Sequence, residues 1–355
     1  MNIITMLAST VYCYVGCNTG SPDQQALHVL ACDTESGETR LVQSVTGLQG
    51  TTYFQFDEKN EYLYTVIAEN REGKPLSAAV RFKMDGWKIG PIERLAGLPC
   101  EAPCHVSLSP DGKRLNMAAY SSATVCTLSL AEMTLKTLVL PNEGMGPVKN
   151  RQQKAYAHFA FTTPDGGKLG IIDLGCDRIH FFDPETLAED KAMTILTDPG
   201  DGPRHAVWSK DNRFLFVVNE LGNSVYSFAF DGKSFARVGK WTMIPDGFAG
   251  DTKASAIKLT KDGKVLLASN RGHDSIAIFS VDTEKGLLEL RNIAKLTGVF
   301  PRDFELMPGE RFAVVGHKRS DEVAIYGFDA EHFALSPVGD VIKIWKPLCF
   351  KFREK

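Results

Sequence analysis

The stretch HAVWSKDNRFLFVVNELGNSVYSFAF (205–230) carries the pattern on which the fold depends. It consists of an apolar run, a tight turn at Asp211, a second apolar run, a polar loop and a third apolar run. Similar segments begin at residues 105, 158 and 256. The turn aspartates of the four segments are 54, 46 and 51 residues apart: Asp111, Asp165, Asp211 and Asp262. A period near 50 residues is typical of propeller blades and exceeds that of most helical or leucine-rich repeats.

The apolar runs within each repeat predict β-strands. FLFVVN (214–219) and SIAIFSV (275–281) are rich in β-branched and aromatic residues and have the usual length of a strand. A blade of about four antiparallel strands cannot bury both of its faces alone, so the blades must stack side by side around an axis. Six repeats start near residues 53, 105, 158, 205, 256 and 303.

The two ends of the chain supply a seventh repeat between them. PLCFKF (347–352) imitates the first strand of a repeat, and the segments 12–17 and 26–33 resemble a second and a third strand. Closing the ring in this way removes exposed strand edges that would template aggregation. The sequence therefore predicts an all-β fold in a single domain, 1–355. We expect a seven-bladed β-propeller of four-stranded antiparallel blades, with one blade closed by strands from both termini.

Composition argues against several classes of function. The 355 residues carry a net charge of -3, and the pI is near 6.3, so no electrostatic feature favours nucleic acid or a membrane surface. We expect a small diffusible ligand and a monomer or weak homodimer. The eight cysteines have no CxxC spacing and lie in or beside apolar runs, which predicts reduced core thiols. The apolar N-terminus lacks a basic n-region, so a cytoplasmic location is expected.

Strand direction decides which residues meet at one end of the ring. In an antiparallel blade the turn between the first two strands lies at one end. The start of the first strand and the loop between the second and third lie at the other end. This rule gathers ionisable residues at one axial mouth, where a ligand pocket is expected. Its members are His105, His158, Arg204, His205 and Arg302 at strand starts, with Glu69, Tyr120, Asp173, Glu220, Arg271, His273 and His317 in loops.

The cations of this set predict the chemistry of the ligand. Three arginines and several histidines converge on one opening, and guanidinium groups match the geometry of carboxylates and phosphates. We therefore expect an anionic or strongly polar ligand. Asp173 and Asp177 are interpreted as side chains that pin a loop. No His/Asp cluster has the spacing of metal ligands, so no metal is expected.

Short motifs in order along nearly the whole chain resemble the lactonase family of seven-bladed propellers, which includes propeller-type 6-phosphogluconolactonases and carboxymuconate cycloisomerases. They are YVG (14–16), DLGCDR (173–178), GPRH (202–205), NEL (219–221), SNRGHDS (269–275) and PR (301–302), with His158 six residues before Pro164. The resemblance implies a functional quartet at His158, Arg204, Glu220 and Arg271. Many relatives have a His-x-His pair, whereas Tyr156 replaces its first member here.

The resemblance implies a carboxylic ester hydrolase that opens a sugar lactone, with 6-phospho-D-glucono-1,5-lactone of the pentose phosphate pathway as the expected substrate. Glu220 or His158 would act as general base on water, and Arg204 and Arg271 would bind the carbonyl and its oxyanion. The expected substrate-binding residues are His205, His273, Arg302 and Lys318, of which Arg302 and Lys318 would hold the phosphate. No cofactor is required, and no Gly-x-Ser-x-Gly elbow indicates a serine nucleophile.

Two alternatives remain open at this point. A carboxymuconate-type cycloisomerase would use the same cations to bind carboxylates. A non-enzymatic ligand- or protein-binding propeller is the other alternative, because a fold does not dictate a function. A docking surface would be expected to expose aromatic anchors. Instead, all four tryptophans lie in or beside predicted strands and are expected to pack between blades: Trp87, Trp208, Trp241 and Trp345.

Overall fold

The computed structural model describes residues 9–71, 74–142 and 144–353. Within them the chain forms 28 strands and one short 3-10 helix at Lys191–Met193. The first fifteen strands are β1 (Thr10–Cys17), β2 (Leu27–Asp33), β3 (Thr39–Val45), β4 (Phe54–Phe56), β5 (Tyr62–Arg71), β6 (Lys74–Asp85), β7 (Lys88–Leu98), β8 (His105–Leu108), β9 (Arg114–Ala119), β10 (Thr124–Ser129), β11 (Leu135–Val139), β12 (Ala157–Thr162), β13 (Leu169–Asp173), β14 (Arg178–Phe182) and β15 (Ile195–Leu196). The others are β16 (Pro203–Trp208), β17 (Phe214–Asn219), β18 (Ser224–Phe230), β19 (Phe235–Thr242), β20 (Lys253–Leu259), β21 (Val265–Arg271), β22 (Ser275–Asp282), β23 (Leu287–Lys295), β24 (Pro301–Leu306), β25 (Phe312–His317), β26 (Glu322–Asp329), β27 (Ala334–Lys343) and β28 (Pro347–Phe352).

These strands form seven antiparallel sheets of four strands each. Blades 1 to 6 take consecutive strands, from β4–β7 in blade 1 to β24–β27 in blade 6, and blade 7 has the order β28-β1-β2-β3. The first strands of neighbouring blades contact each other, as β16 contacts β20 and β20 contacts β24. The first strand of each blade therefore faces the axis, and the predicted seven-bladed propeller is confirmed.

Blade 7 closes the ring with strands from both ends of the chain. In it β28 pairs with β1 in an antiparallel register that places Phe350 opposite Val15 and Cys349 opposite Gly16. The side chains of Phe350, Cys349 and Val15 are completely buried. The predicted shared blade is confirmed, because the apolar tail segment supplies the inner strand that the N-terminal segment lacks.

Apolar side chains fill the spaces between neighbouring blades. Phe216 and Val218 of blade 4, for example, form one buried cluster with Leu266 and Ala268 of blade 5. The outermost strands mix exposed positions with partly buried and buried ones, as in β23. This pattern follows from the architecture, since inner strands are covered on both faces and outer strands meet water.

Three of the four tryptophans pack as expected. Trp87 of blade 1 stacks on Tyr12 of blade 7 with ring centroids 5.0 Å apart, and Trp208 and Trp241 are packed against buried clusters. The expectation is wrong for Trp345, which precedes β28 and is 44% exposed. None of the eight cysteines, all of which lie in the described residues, forms a disulfide, and six of them are buried. No helix of the described residues is long and apolar enough to span a membrane.

A buried histidine links two carboxylates inside blade 3. Nδ1 of His180 lies 2.8 Å from Oε1 of Glu189, and its Nε2 lies 3.6 Å from Oδ2 of Asp173. The other oxygen of Asp173 accepts hydrogen bonds from the backbone N–H groups of Tyr156, Gly175 and Cys176. Asp173 therefore pins the segment that leads into β12, as the sequence predicts. His180 lies on the side of the other carboxylate oxygen, Oδ2.

We expect Phe350→Ala to destabilise the protein by about 3–5 kcal/mol, because the substitution leaves a cavity where a fully buried ring joins β28 to β1. Denaturant unfolding monitored by far-ultraviolet circular dichroism measures the effect. The matched control is Trp345→Ala, which removes a large but 44% exposed ring and is expected to cost no more than about 1 kcal/mol. Equal losses in the two variants would show that the closure does not depend on Phe350.

A pH dependence of stability follows from the His180 linkage. Burial lowers the pKa of His180, but the neighbouring carboxylates of Asp173 and Glu189 outweigh burial and raise the pKa above its usual value. The resulting stabilisation is fully present below the unfolded pKa of about 6.5 and is lost as pH rises through the folded pKa. His180→Gln should thus cost more unfolding free energy at pH 6 than at pH 8, by about 1.4 kcal/mol per unit of pKa shift. Denaturant titrations of the parent and the variant at both pH values test this. An equal cost of the substitution at pH 6 and at pH 8 would contradict it.

Candidate active site

The four residues of the predicted quartet belong to three neighbouring blades, and all four lie at the same end of the ring. His158 is the second residue of β12, and Arg204 is the second residue of β16. Glu220 directly follows β17, and Arg271 ends β21. The register pairs Ala157 with Asp173 and Pro203 with Asn219, so strand starts and loops lie at the same mouth.

A β-bulge occurs where three of the site residues enter their inner strands. The register shifts between Ala157 and Phe159, between Pro203 and His205, and between Pro301 and Asp303. The extra residues left out of the ladders are His158, Arg204 and Arg302. Because a bulge breaks the alternation of side chains, it can re-aim a side chain at a site. In blade 4 the side chains of two consecutive residues come into contact as a result: Nη1 of Arg204 lies 3.2 Å from Nε2 of His205.

Glu220 is the centre of a buried charge cluster. Its Oε2 accepts from Nε of Arg204 at 3.0 Å and lies 2.8 Å from Nη2 of Arg271. Its Oε1 lies 2.5 Å from Nη2 of Arg151. Backbone carbonyls hold two of the guanidinium groups in place, since Arg204 donates to the carbonyl of Ser255 at 2.8 Å and Arg271 to that of Ala254 at 2.6 Å. Both carboxylate oxygens are therefore engaged by rigidly placed cations.

Arg151 is a site residue that the sequence reasoning missed. It lies in the long connection between β11 and β12, and its guanidinium also donates to the hydroxyl of Tyr120 at 3.3 Å. The adjacent Gln152 is completely buried and donates to the carbonyl of Leu174 and to Oδ1 of Asp177. The connection is thus anchored beside Arg151. An alternating strand pattern contains no signal for a loop residue that reaches across two blades.

The electrostatic environment separates the protonation states of Glu220 and His158. Burial by itself raises the pKa of Glu220, but Arg271 and Arg204 outweigh burial and hold this pKa well below its usual range. Burial lowers the pKa of His158 well below its usual value, and Arg204 lowers it further. At neutral pH the site therefore holds a carboxylate at Glu220 and a neutral imidazole at His158. Nδ1 of His158 is buried and has no hydrogen-bond partner among the described residues.

These groups border a cavity of about 390 Å³ at the predicted mouth. Of the eight predicted site residues, His158, Glu220, Arg271 and Arg302 line it, and Arg204 adjoins it through Glu220. Lining residues that the sequence analysis did not include in the site are Cys104, Arg151, Asp251, Lys253, Gly272, Phe300 and Arg319. Tyr120, which the sequence placed at this mouth, also lines the cavity.

Three of the predicted substrate-binding residues lie outside the cavity wall. The ring of His205 packs against Phe159, with centroids 4.7 Å apart. Nδ1 of His273 lies 2.7 Å from Oγ of Ser275, and its ring packs against Phe248. Lys318 precedes Arg319, and only Arg319 of the two lines the cavity. The structure thus brings His205 next to Arg204 but leaves His273 and Lys318 outside the lining.

A larger cavity of about 510 Å³ lies among the turns at the opposite end of the ring. Its charged lining is mixed, with Asp57 and Glu310 beside Lys261 and Lys351. The turn aspartates of the repeats serve their own turns, as Asp111 accepts from Ser109 Oγ at 2.6 Å. Among the described residues, no three His, Cys, Asp or Glu side chains are grouped as metal ligands would be. The smaller, strongly cationic cavity is therefore the candidate active site.

Comparison with known proteins agrees with the fold. Residues 12–352 match the family described as lactonase, 7-bladed beta-propeller. The chain is 27% identical to the 6-phosphogluconolactonase of Bacillus subtilis over 344 residues, covering 96% of this chain and 97% of that protein. It is 31% identical to an uncharacterised protein of Staphylococcus saprophyticus over 314 residues, covering 87% of this chain and 89% of that protein.

Solved structures show the same architecture. The periplasmic gluconolactonase of Pseudomonas aeruginosa superposes with a TM-score of 0.86 at 26% identity, covering 97% of this chain and 99% of that one. A protein from Lactobacillus plantarum superposes with a TM-score of 0.87 at 26% identity, covering 97% of this chain and 100% of that one. With the family match spanning nearly all described blades, the chain belongs to the lactonase family of seven-bladed β-propellers.

Proposed function

We propose that this protein hydrolyses a sugar lactone, 6-phospho-D-glucono-1,5-lactone, to 6-phosphogluconate. The observation that carries this proposal is a neutral, buried His158 in a cavity whose wall is dominated by cationic side chains. Such a wall suits an anionic substrate, and a neutral imidazole suits activation of water. The name of the Bacillus subtilis relative supports the choice of lactone.

His158 is the better general base of the two residues that the sequence left open. Both oxygens of Glu220 are engaged by guanidinium groups, and its depressed pKa makes it a weak proton acceptor. His158 is uncharged at neutral pH and lines the cavity. Glu220 then acts as a positioning residue, because it fixes the arginines that border the reacting carbonyl.

The proposed reaction needs only these side chains and water. His158 takes a proton from water as the hydroxyl oxygen bonds to the lactone carbonyl carbon, and the carbonyl oxygen becomes an oxyanion. Arg271, which lines the cavity, stabilises this oxyanion, and Arg204 adds its charge from behind Glu220. The bond from that carbon to the ring oxygen then breaks, and the imidazolium returns its proton to the departing oxygen. The product is the open-chain acid.

The product 6-phosphogluconate belongs to the pentose phosphate pathway, so we propose a cytoplasmic enzyme that acts as a monomer or weak homodimer. The eight cysteines, none of which forms a disulfide, support a reducing compartment, since disulfides persist mainly where the environment is oxidising.

Activity is tested with fresh 6-phosphogluconolactone in an assay coupled to oxidation of the released acid. We expect the parent protein to exceed spontaneous hydrolysis and Arg204→Ala and Glu220→Gln to lose about 10²–10³-fold in kcat, because both changes disrupt the preorganised cations. The matched controls Arg291→Ala and Glu289→Gln disrupt an exposed ion pair on β23 and should keep full activity.

Thermal unfolding of each variant is measured alongside activity, since loss of one partner of a buried ion pair costs about 3–5 kcal/mol. Parent turnover no faster than spontaneous hydrolysis would reject the lactonase proposal. Turnover of carboxymuconate in its place would favour the cycloisomerase alternative. Folded variants with parental activity would reject the proposed roles of Arg204 and Glu220.

The pH profile tests the role of His158. Because burial and Arg204 depress its pKa, the imidazole stays neutral well below pH 6.5. We expect kcat/KM to remain nearly constant from pH 7.5 to 5.5, whereas an unperturbed histidine base would lose about tenfold at pH 5.5. His158→Gln should abolish the enzymatic rate across this range. A half-maximal rate near pH 6.5 would show that a solvent-exposed histidine is the base instead.

A further inference from the structure

The charges that line the candidate active site are not balanced. Two of the five cationic side chains, Arg151 and Arg271, lie within 3 Å of Glu220. Lys253 pairs with Asp251 at 2.6 Å. The other two, Arg302 and Arg319, have no carboxylate within 4 Å among the residues that the structure describes. Arg302 is partly removed from bulk water without such a partner, which is costly, so the site is suited to receive an anion.

Arg302 and Arg319 enter the cavity from the same blade. Arg302 is the bulged second residue of β24, and Arg319 follows β25 in the loop at the same mouth. The Arg302 side chain is partly buried, whereas Arg319 is exposed at the rim. Burial and Arg271 lower the pKa of Arg302 to about 10, which reflects the positive potential around it. The two guanidinium groups therefore form an inner and an outer wall of one cationic region.

The position of Arg319 is held by a framework of hydrogen bonds. Its backbone N–H donates to the carbonyl of Val299 at 3.2 Å, and that of Lys318 donates to the carbonyl of Phe300 at 3.0 Å. The N–H of Phe300 in turn donates to Oδ1 of Asp274 at 2.8 Å. The guanidinium carbon of Arg319 lies 4.2 Å from the centre of the Phe300 ring, within cation–π range.

Phe300 has an unusual backbone conformation that suits this framework. Its φ of +66° lies in the left-handed region, which a bulky residue rarely adopts and which costs about 1–3 kcal/mol. The ring of Phe300 lies near the guanidinium groups of both Arg319 and Arg271. Phe300 also lines the cavity, as do Arg302 and Arg319. Arg319 is therefore preorganised although its side chain is exposed.

We propose that Arg302 and Arg319 form a subsite for the anionic substituent of the substrate and that Arg319 determines the preference for a charged lactone over its neutral analogue. This inference rests on the proposed function for the identity of the substrate. Arg319 takes the role that the sequence assigned to its neighbour Lys318. Two guanidinium groups suit a phosphate or a carboxylate, because each offers a planar fork of donors.

Equilibrium binding tests the subsite without depending on catalysis. Isothermal titration calorimetry compares 6-phosphogluconate with gluconate, which lacks only the phosphate. The parent protein should bind 6-phosphogluconate at least about tenfold more tightly than gluconate. Arg319→Ala should weaken 6-phosphogluconate binding about tenfold and leave gluconate binding unchanged, with Arg319→Lys in between. The matched control Arg291→Ala removes an exposed arginine that lies 4.9 Å from the Phe333 ring and should change neither affinity.

A third ligand identifies the type of anion. If cis,cis-muconate binds to the parent protein and Arg319→Ala weakens this binding, the subsite accepts carboxylates as well. If cis,cis-muconate does not bind to the parent protein, the subsite is specific for phosphate. Equal affinity of the parent for 6-phosphogluconate and gluconate would overturn the proposal, as would an equal loss for both acids in Arg319→Ala.

Failure of the subsite proposal can be distinguished from failure of the proposed lactonase function. Selective binding of 6-phosphogluconate without lactone hydrolysis would retain the subsite and reject the lactonase. Hydrolysis of 6-phosphogluconolactone and of the unphosphorylated lactone with equal kcat/KM would retain the lactonase and reject the subsite.

Discussion

The placement of one carboxylate among three guanidinium groups is the constraint on which the candidate site depends. Glu220 follows the second strand of blade 4, while Arg151, Arg204 and Arg271 come from the connection into blade 3, from blade 4 and from blade 5. Without this carboxylate, three cations would face one another in a poorly solvated space. Carbonyl acceptors on β20 hold Arg204 and Arg271 in place, and the bond from Arg204 also joins blade 4 to blade 5. Charge balance and blade packing are therefore parts of the same arrangement.

The same constraint separates the charged groups that are already compensated within the site from those that can interact with a ligand. Burial, together with the charge of Arg204, keeps His158 neutral, whereas Arg302 and Arg319, which have no carboxylate partner among the described residues, remain available for an external anion. A buried carboxylate with its own counter-ions is poorly suited to accept a proton, and a buried neutral imidazole is well suited. In the proposed reaction, the distinction between positioning groups and reacting groups thus follows from which charges are already compensated.

The structure also shows where sequence reasoning about the site was limited. The direction rule placed His158, Arg204, Glu220, Arg271 and Arg302 at one mouth, because strand starts and alternate loops share an end in any antiparallel blade. It also placed His273 there, but the ring of this histidine turns toward Ser275 and Phe248. The choice between Lys318 and Arg319 depends on loop conformation, which no periodic pattern encodes. Arg151 lies in a connection without repeat character, so only the tertiary structure reveals its approach to Glu220.

The sequence by itself determined the number of blades, the shared closing blade and the end of the ring at which the ionisable residues gather. These features follow from local regularities, namely the spacing of turn aspartates, the length of apolar runs and the alternation of strand direction. Tertiary structure alone decided which side chains touch, since bulges at His158, Arg204 and Arg302 break the alternation from which side-chain direction is inferred. Contacts between residues far apart in the chain depend on how blades pack, and packing is a property of the closed ring rather than of any single repeat.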